Sequence, residues 1–491
     1  MWPFTQKKEI ATRRDLWDLS TPLLRLSESD VWTIGDACEG CQVFGSTGSG
    51  KSSSTMALAM KAFLNAGFGG MFLTVKPEDR ANYERYCRET GRLNDLMVFG
   101  PNEPLRYNPI DAELQRRDAG AGLTENVVSL LSTLLEVRER NSGKGDGENS
   151  YFTRTNRQLM RNAIDLLVMA KGRLSVPQLY RLVISAPISP EQFASEEWKK
   201  SSFCFECLRE ADAKAKTPIQ QADFELVADF FVIEWMNMGS RTRSGVLSTF
   251  TSMLDILNRG IIRELMSSPV SNVTPELCQE GKLLLIDVPL KVFGEVGIFV
   301  QVLWKFCLQR AQERRDVRQN PRPVFLVCDE SHLLTVSADQ VFQTTARSTR
   351  TAVIYATQSI SNYLAALGDK AEPEVHSLLG NLCTQVFHQQ ADIKTNQYAA
   401  ELIGRTRQFL INANSTRQPL DFIGSLFGQS PDQCTAGVNE AFEYEVQPAT
   451  FATLKKGGPP HWVADAIVYQ GGRRFHATGR PWMPVTFRQH L

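Results

Sequence analysis

Short apolar runs, separated by stretches with a different rhythm, set the pattern of this chain. CQVF (Cys41–Phe44), VFLVC (Val324–Cys328) and AVIYAT (Ala352–Thr357) are apolar almost throughout. Runs of this length without alternation predict strands buried on both faces, as in the middle of a parallel sheet. After CQVF, SSSTMALAMKAFLNAG follows a helical rhythm that stops at Gly67, where a glycine predicts the helix end. Leu159, Ala163, Leu166 and Leu167 recur at helical spacing, and LTENVVSLLSTLLEV has the same beat. Residues 113–238, which lack β-rich runs, are therefore expected to form a helical insertion, its apolar stripe serving as core and not as a binding face. Near the end, WVADAIVYQGGRRFHATG predicts a β-hairpin turning at Gly471 and Gly472. The stretch from about Gln408 reads as a polar loop containing Gly, Ser and Pro.

The expected fold class is thus α/β, a mostly parallel sheet with an inserted all-α domain. Residues 1–112 and 239–491 supply the two parts of the sheet domain, and residues 113–238 the insertion. With 491 residues the chain is longer than one core usually supports, and 42% hydrophobic with 22% charged residues is an ordinary globular composition. Lys plus Arg equals Asp plus Glu, at 54 each. That balance argues against a polybasic coat and leaves room for a basic surface confined to a loop or channel.

No apolar run reaches the roughly 18 residues that a bilayer requires. The nearest, VGIFVQVLWKFCLQR, contains Gln301 and Lys305. Charges break the first residues before any signal-peptide core forms, so the expected location is cytoplasmic. Ten cysteines sit largely in apolar surroundings and read as buried thiols; the pairs Cys38/Cys41 and Cys204/Cys207 have zinc-ligand spacing as an alternative, though they lie far apart.

Against this frame GSTGSGKS, Gly45–Ser52, fits the phosphate-loop pattern between a strand and a helix. Glycines let the backbone wrap so that amides from about Ser46 to Lys51 can face phosphate oxygens at a helix start, within a nucleotide-binding set of Gly45, Ser46, Thr47, Gly48, Ser49, Gly50, Lys51, Ser52 and Ser53. Lys51 would bridge the β- and γ-phosphates of ATP, and Ser52 would hold Mg²⁺. VFLVCDE ends in Asp329 and Glu330, where parallel sheets place their ligand sites. Asp329 would orient the magnesium shell and Glu330 would polarise the attacking water, a pair that favours hydrolysis. Gln358 falls just beyond AVIYAT, within reach of the γ-phosphate or the water. Arg347 and Arg350 precede that strand, on the sheet edge remote from their own phosphate loop, where a ring would let them reach a neighbour's nucleotide. Lys144 in the polar loop NSGKGDGENS, Arg241 and Arg243 in SRTRSGV, and Arg473, Arg474 and His476 near the end are further phosphate-contact candidates, with solvated or capping roles as their plainer reading.

GSTGSGKS, FLVCDE and ATQS in this order resemble the type IV coupling proteins of conjugation (TraG/TraD-like), within the HerA/FtsK superfamily of ring ATPases. MFLTVKPEDRANYERYCRETG, MVFGPNEPLRYNPID, SRTRSGVLSTFTSML, GKLLLIDVPL and GNLCTQVFHQQADIKTNQYAAELIG extend the resemblance over roughly residues 30–405. The resemblance implies a RecA-like motor, assembly as a hexamer or related ring, and ATP-driven movement of DNA through a central channel. It carries Lys51, Ser52, Asp329, Glu330 and Gln358 onto the family's motif positions and makes Arg347 the candidate arginine finger. The implied partners are DNA, further copies of the chain, and a relaxase, secretion-channel or membrane-anchor protein. Two departures stand out: family members usually begin with transmembrane helices, and Thr74 in LTVKPED replaces a common Asp before Lys76. An ATPase that moves or remodels proteins, and a nucleotide-gated scaffold without sustained turnover, remain alternative readings.

Overall fold

The computed structural model describes residues 15–117, 120–141, 149–268, 271–368, 371–417 and 432–489. Lys144 and the middle of the expected polar loop, residues 418–431, lie outside them. In chain order the strands are β1 (Pro22–Arg25), β2 (Val31–Thr33), β3 (Cys41–Phe44), β4 (Gly69–Leu73), β5 (Leu96–Phe99), β6 (Leu283–Ile286) and β7 (Val324–Cys328). They continue with β8 (Thr351–Thr357), β9 (Thr384–His388), β10 (Arg405–Arg417), β11 (Asp432–Tyr444), β12 (Val463–Gln470) and β13 (Trp482–Arg488).

Nine of these form one sheet in the order β13-β12-β9-β3-β8-β7-β4-β6-β5. From β9 to β5 every pairing is parallel, and β12 and β13 add antiparallel at one edge. The continuous apolar runs follow from this position: along β7, Val324, Leu326 and Cys328 enter one core while Phe325 and Val327 enter the other. Both faces being buried, neither can be polar. The second core holds the helix Ala57–Asn65 and the aromatic side of Asp79–Glu89. The first extends without a break from the sheet through Leu290–Arg314 into the helices between β5 and β6.

Those helices exceed the expected bounds. Ser240–Leu257, read from sequence as part of the second half of the sheet domain, packs on Asn149–Lys171 and Val176–Ile184, so the helical layer continues past Met238 before the chain returns to the sheet. Two other expectations change. The stretch from Gln408 is not a loop at its ends: β10 and β11 pair antiparallel from Arg405↔Tyr444 to Arg417↔Asp432, as a ribbon separate from the main sheet. Gly471–Gly472 does end β12, but the return strand begins only at Trp482. Between them Arg473 is drawn to Asp30 and Asp36, which a two-residue turn would not allow.

Among the described residues Leu290–Arg314 is the one helix long and apolar enough to cross a bilayer, and it is largely buried in protein. Two of its polar side chains are committed inside: Gln301 donates to the Thr74 and Ile286 carbonyls, and Lys305 pairs with Asp339. Cys38, Cys41, Cys204 and Cys207 are buried, and no group of three or more potential metal ligands occurs among the described residues.

Candidate nucleotide site

The site lies along the carboxyl ends of β3, β8 and β7, the rim at which parallel sheets gather polar loops. A cavity of about 460 Å³ there is lined by Ser46–Ser53 on one side and by Lys76, Lys291, Asp329, Glu330, His332 and Gln358 on the other. Gly48 and Gly50 have φ of 74° and 98°, the region that glycine enters at least cost. Gly45 is required for space, since a Cβ there would come within 2.5 Å of Ser49 Oγ and 2.8 Å of the His388 side chain. The wrapped loop leads into the helical residues from Ser52 to Asn65. Lys51 folds back so that its ammonium donates to the Gly45 carbonyl at 2.6 Å. Burial lowers its pKa, while Asp329 and Glu330 oppose that shift.

Across the loop, Ser52 Oγ donates to Asp329 Oδ2 at 2.8 Å, the pairing a magnesium site needs from a hydroxyl and a carboxylate. Glu330 is held at φ 45°, left-handed backbone that an ordinary side chain avoids and that clusters at functional positions. Its Oε1 accepts from Gln358 Nε2 at 3.4 Å, whereas its Oε2 is buried without a hydrogen bond, 3.7 Å from His332 Nδ1. The buried Ser49 hydroxyl is likewise without one. Orphaned polar atoms of this kind fit a site whose contents are a charged ligand, its metal ion and water. The structure thus brings Lys51, Ser52, Asp329, Glu330 and Gln358 to one cavity.

Arg347 is elsewhere. It precedes β8 by four residues, at the opposite rim, with its side chain 65% exposed and its guanidinium 3.2 Å from Glu39. Arg350 is spent internally on the carbonyls of Trp17 and Pro321. Arg243 caps the carbonyls of Trp235, Met236 and Met238.

Sequence reasoning missed the residues that brace the loop from β9. Gln389 takes the Ser46 backbone N–H on its carbonyl at 2.8 Å and the Ser46 hydroxyl on its side chain, and Gln390 donates to the Gln358 carbonyl. His388 faces the Asp465 carbonyl at 3.2 Å through Nδ1 and Thr55 Oγ1 at 2.8 Å through Nε2. A carbonyl only accepts, so Nδ1 carries the proton and Thr55 donates to Nε2. Burial pushes the His388 and His332 imidazoles down to about 4. The signal was present: His-Gln-Gln follows an apolar run just as Asp-Glu and Gln do after β7 and β8. Behind the site, Ser331 Oγ and Tyr363 OH lie 2.6 Å apart, and Tyr363 donates to Gln42 on β3, tying the acidic turn to the strand that carries the loop.

Residues 323–432 match the family described as the TraM recognition site of TraD and TraG. The fold is that of the bacterial conjugative coupling protein TrwBdeltaN70 in an unbound form, at TM-score 0.61 and 15% identity over 97% of this chain and 92% of that one. The plasmid coupling protein TrwB in complex with ADP and Mg²⁺ gives the same values. TrwB with a non-hydrolysable ATP analogue matches at TM-score 0.60 and 15% identity, covering 97% of this chain and 93% of that one. A search of curated protein sequences gives no match.

Proposed function

We propose that this chain belongs with the type IV coupling proteins, which its residues 323–432 and its fold resemble, and is a ring-forming ATPase that uses hydrolysis to drive DNA through a central channel. The observation that carries the reading is the convergence of Lys51, Ser52, Asp329, Glu330 and Gln358 on one cavity. Lys51 and the loop amides bind the phosphates of ATP. Ser52 and Asp329 hold Mg²⁺, which when bound neutralises charge on the β- and γ-oxygens. Glu330, through the Oε2 that makes no hydrogen bond, takes a proton from the attacking water, and Gln358 fixes both the carboxylate and that water. Arg347, too far from its own loop, completes the site of the next copy in a hexamer or related ring. A relaxase, secretion-channel or membrane-anchor protein would be the further partner, with the chain acting on the cytoplasmic side.

Steady-state ATPase with and without single- and double-stranded DNA tests this. Turnover should rise several-fold with DNA, and the effect should fade steeply with salt because a channel grips phosphates and not base edges. The equal count of 54 basic and 54 acidic residues favours a second reading, a motor for protein cargo. ATPase indifferent to DNA yet raised by a partner protein would select it.

A further inference from the structure

In a phosphate loop the lysine and the hydroxyl after it meet the outer phosphates, so the α-phosphate and its sugar leave on the side of the next residue. Here that residue is Ser53, and its hydroxyl is met by Gln489, at the end of the antiparallel edge added by β12 and β13. Gln489 Nε2 lies 2.7 Å from Ser53 Oγ, while Gln489 Oε1 accepts from the Gly458 amide at 2.5 Å, which fixes the direction of the side-chain amide. Gly457 makes room for it: a Cβ there would fall 2.4 Å from Gln489 Nε2. The same edge touches the loop again, since a Cβ on Gly50 would meet the Ala464 methyl at 2.7 Å.

Trp462 stands between these two contacts. Its carbonyl accepts from Gln489 N at 2.8 Å, its own N–H donates to the Gly458 carbonyl at 3.0 Å, and Ala464 follows two residues on. Trp17, Trp32, Trp235 and Trp304 are all buried, but Trp462 is 44% exposed. It is also held at φ 52°, left-handed backbone that a large side chain rarely adopts.

We propose that Trp462 and Gln489 form the nucleoside subsite, the indole stacking on the purine base and the Gln489 amide lining the sugar side. The inference rests on the reading of Gly45–Ser53 as a phosphate cradle. An indole supplies a flat apolar face for any purine at little entropic cost.

The test compares ATP, ADP and inorganic tripolyphosphate, each with Mg²⁺, by calorimetry on the full chain. Trp462→Ala should weaken ATP and ADP roughly tenfold, the scale of one aromatic–base stack, and leave tripolyphosphate unchanged. Trp462→Phe should retain most of the ATP affinity. Unchanged ATP binding in Trp462→Ala overturns the subsite, as does a matching loss of tripolyphosphate, which would place the effect in the loop. If the wild-type chain binds neither ATP nor tripolyphosphate, the phosphate-cradle reading itself is wrong and the subsite falls with it.

Discussion

At the scale of single residues, substitution probes the Glu330 carboxylate and pH probes the neutral imidazole of His388. Glu330→Gln keeps the shape and the Gln358 contact but loses the proton acceptor, so ATP affinity should stay within about threefold while turnover drops by about 10² or more. Equilibrium binding of a fluorescent ATP analogue beside phosphate release would show both, and normal turnover would remove Glu330 from its role. His388 and His332 take up a proton only near pH 4 in the fold, against 6.5 for an exposed imidazole. The unfolded chain therefore binds more protons between those values. Stability should be complete above about pH 6.5 and decline toward pH 4, by at most about 3 kcal/mol per histidine. A melting temperature that stays level from pH 7.5 to 5 would contradict this. Lys51, Asp329, Glu330 and Gln358 were legible in sequence because each sits in a linear motif beside an apolar run. The role of His388, Gln389 and Gln390 was harder to read, because the polar trio at the end of β9 gains its meaning only from the pairing of β9 with β3.

Among elements, the helix Leu290–Arg314 and the segment after Glu330 are joined by a buried pair. Lys305 is 1% exposed and Asp339 0%, and Asp339 also accepts from Gln309, Tyr355 and the Val336 amide. Removing one partner leaves a charge stranded in the core, so Lys305→Met should cost about 3–5 kcal/mol in urea unfolding. Lys305→Met with Asp339→Leu should recover only part of that loss, because the second change also strips Gln309, Tyr355 and the Val336 amide of their acceptor. A single variant as stable as the wild type would show that the network carries little. The elements misread from sequence were set by contacts outside the local pattern. Gly471–Gly472 looks like a tight turn, yet the ion pairs of Arg473 with Asp30 and Asp36 carry the chain on to Trp482. Ser240–Leu257 carries no mark of the layer it joins, since an amphipathic helix packs equally well on a sheet or on other helices. Strands β7 and β8 were plain because burial on both faces leaves their central positions almost wholly apolar.

For the whole molecule, the length of β8 decides which nucleotide Arg347 can serve. Seven residues at about 3.3 Å each put roughly 20 Å between the strand's two ends, beyond the reach of an arginine side chain. Arg347→Ala should therefore bind ATP normally and lose hydrolysis by as much as ~10³ to 10⁵ fold. Mixing it with Lys51→Ala should restore part of the ATPase, because each inactive copy supplies what the other lacks. Full activity of Arg347→Ala in the assembled state would refute the assignment. In the proposed ring Arg347 would have to leave Glu39, so Glu39→Gln should not impair turnover. With the loop on one rim and the arginine on the other, the subunit is a vector. Two copies related by a two-fold axis would set like rim against like and leave both nucleotides without an arginine. Turnover per subunit should stay at its floor while only such symmetric pairs form, and climb once head-to-tail contacts close on themselves.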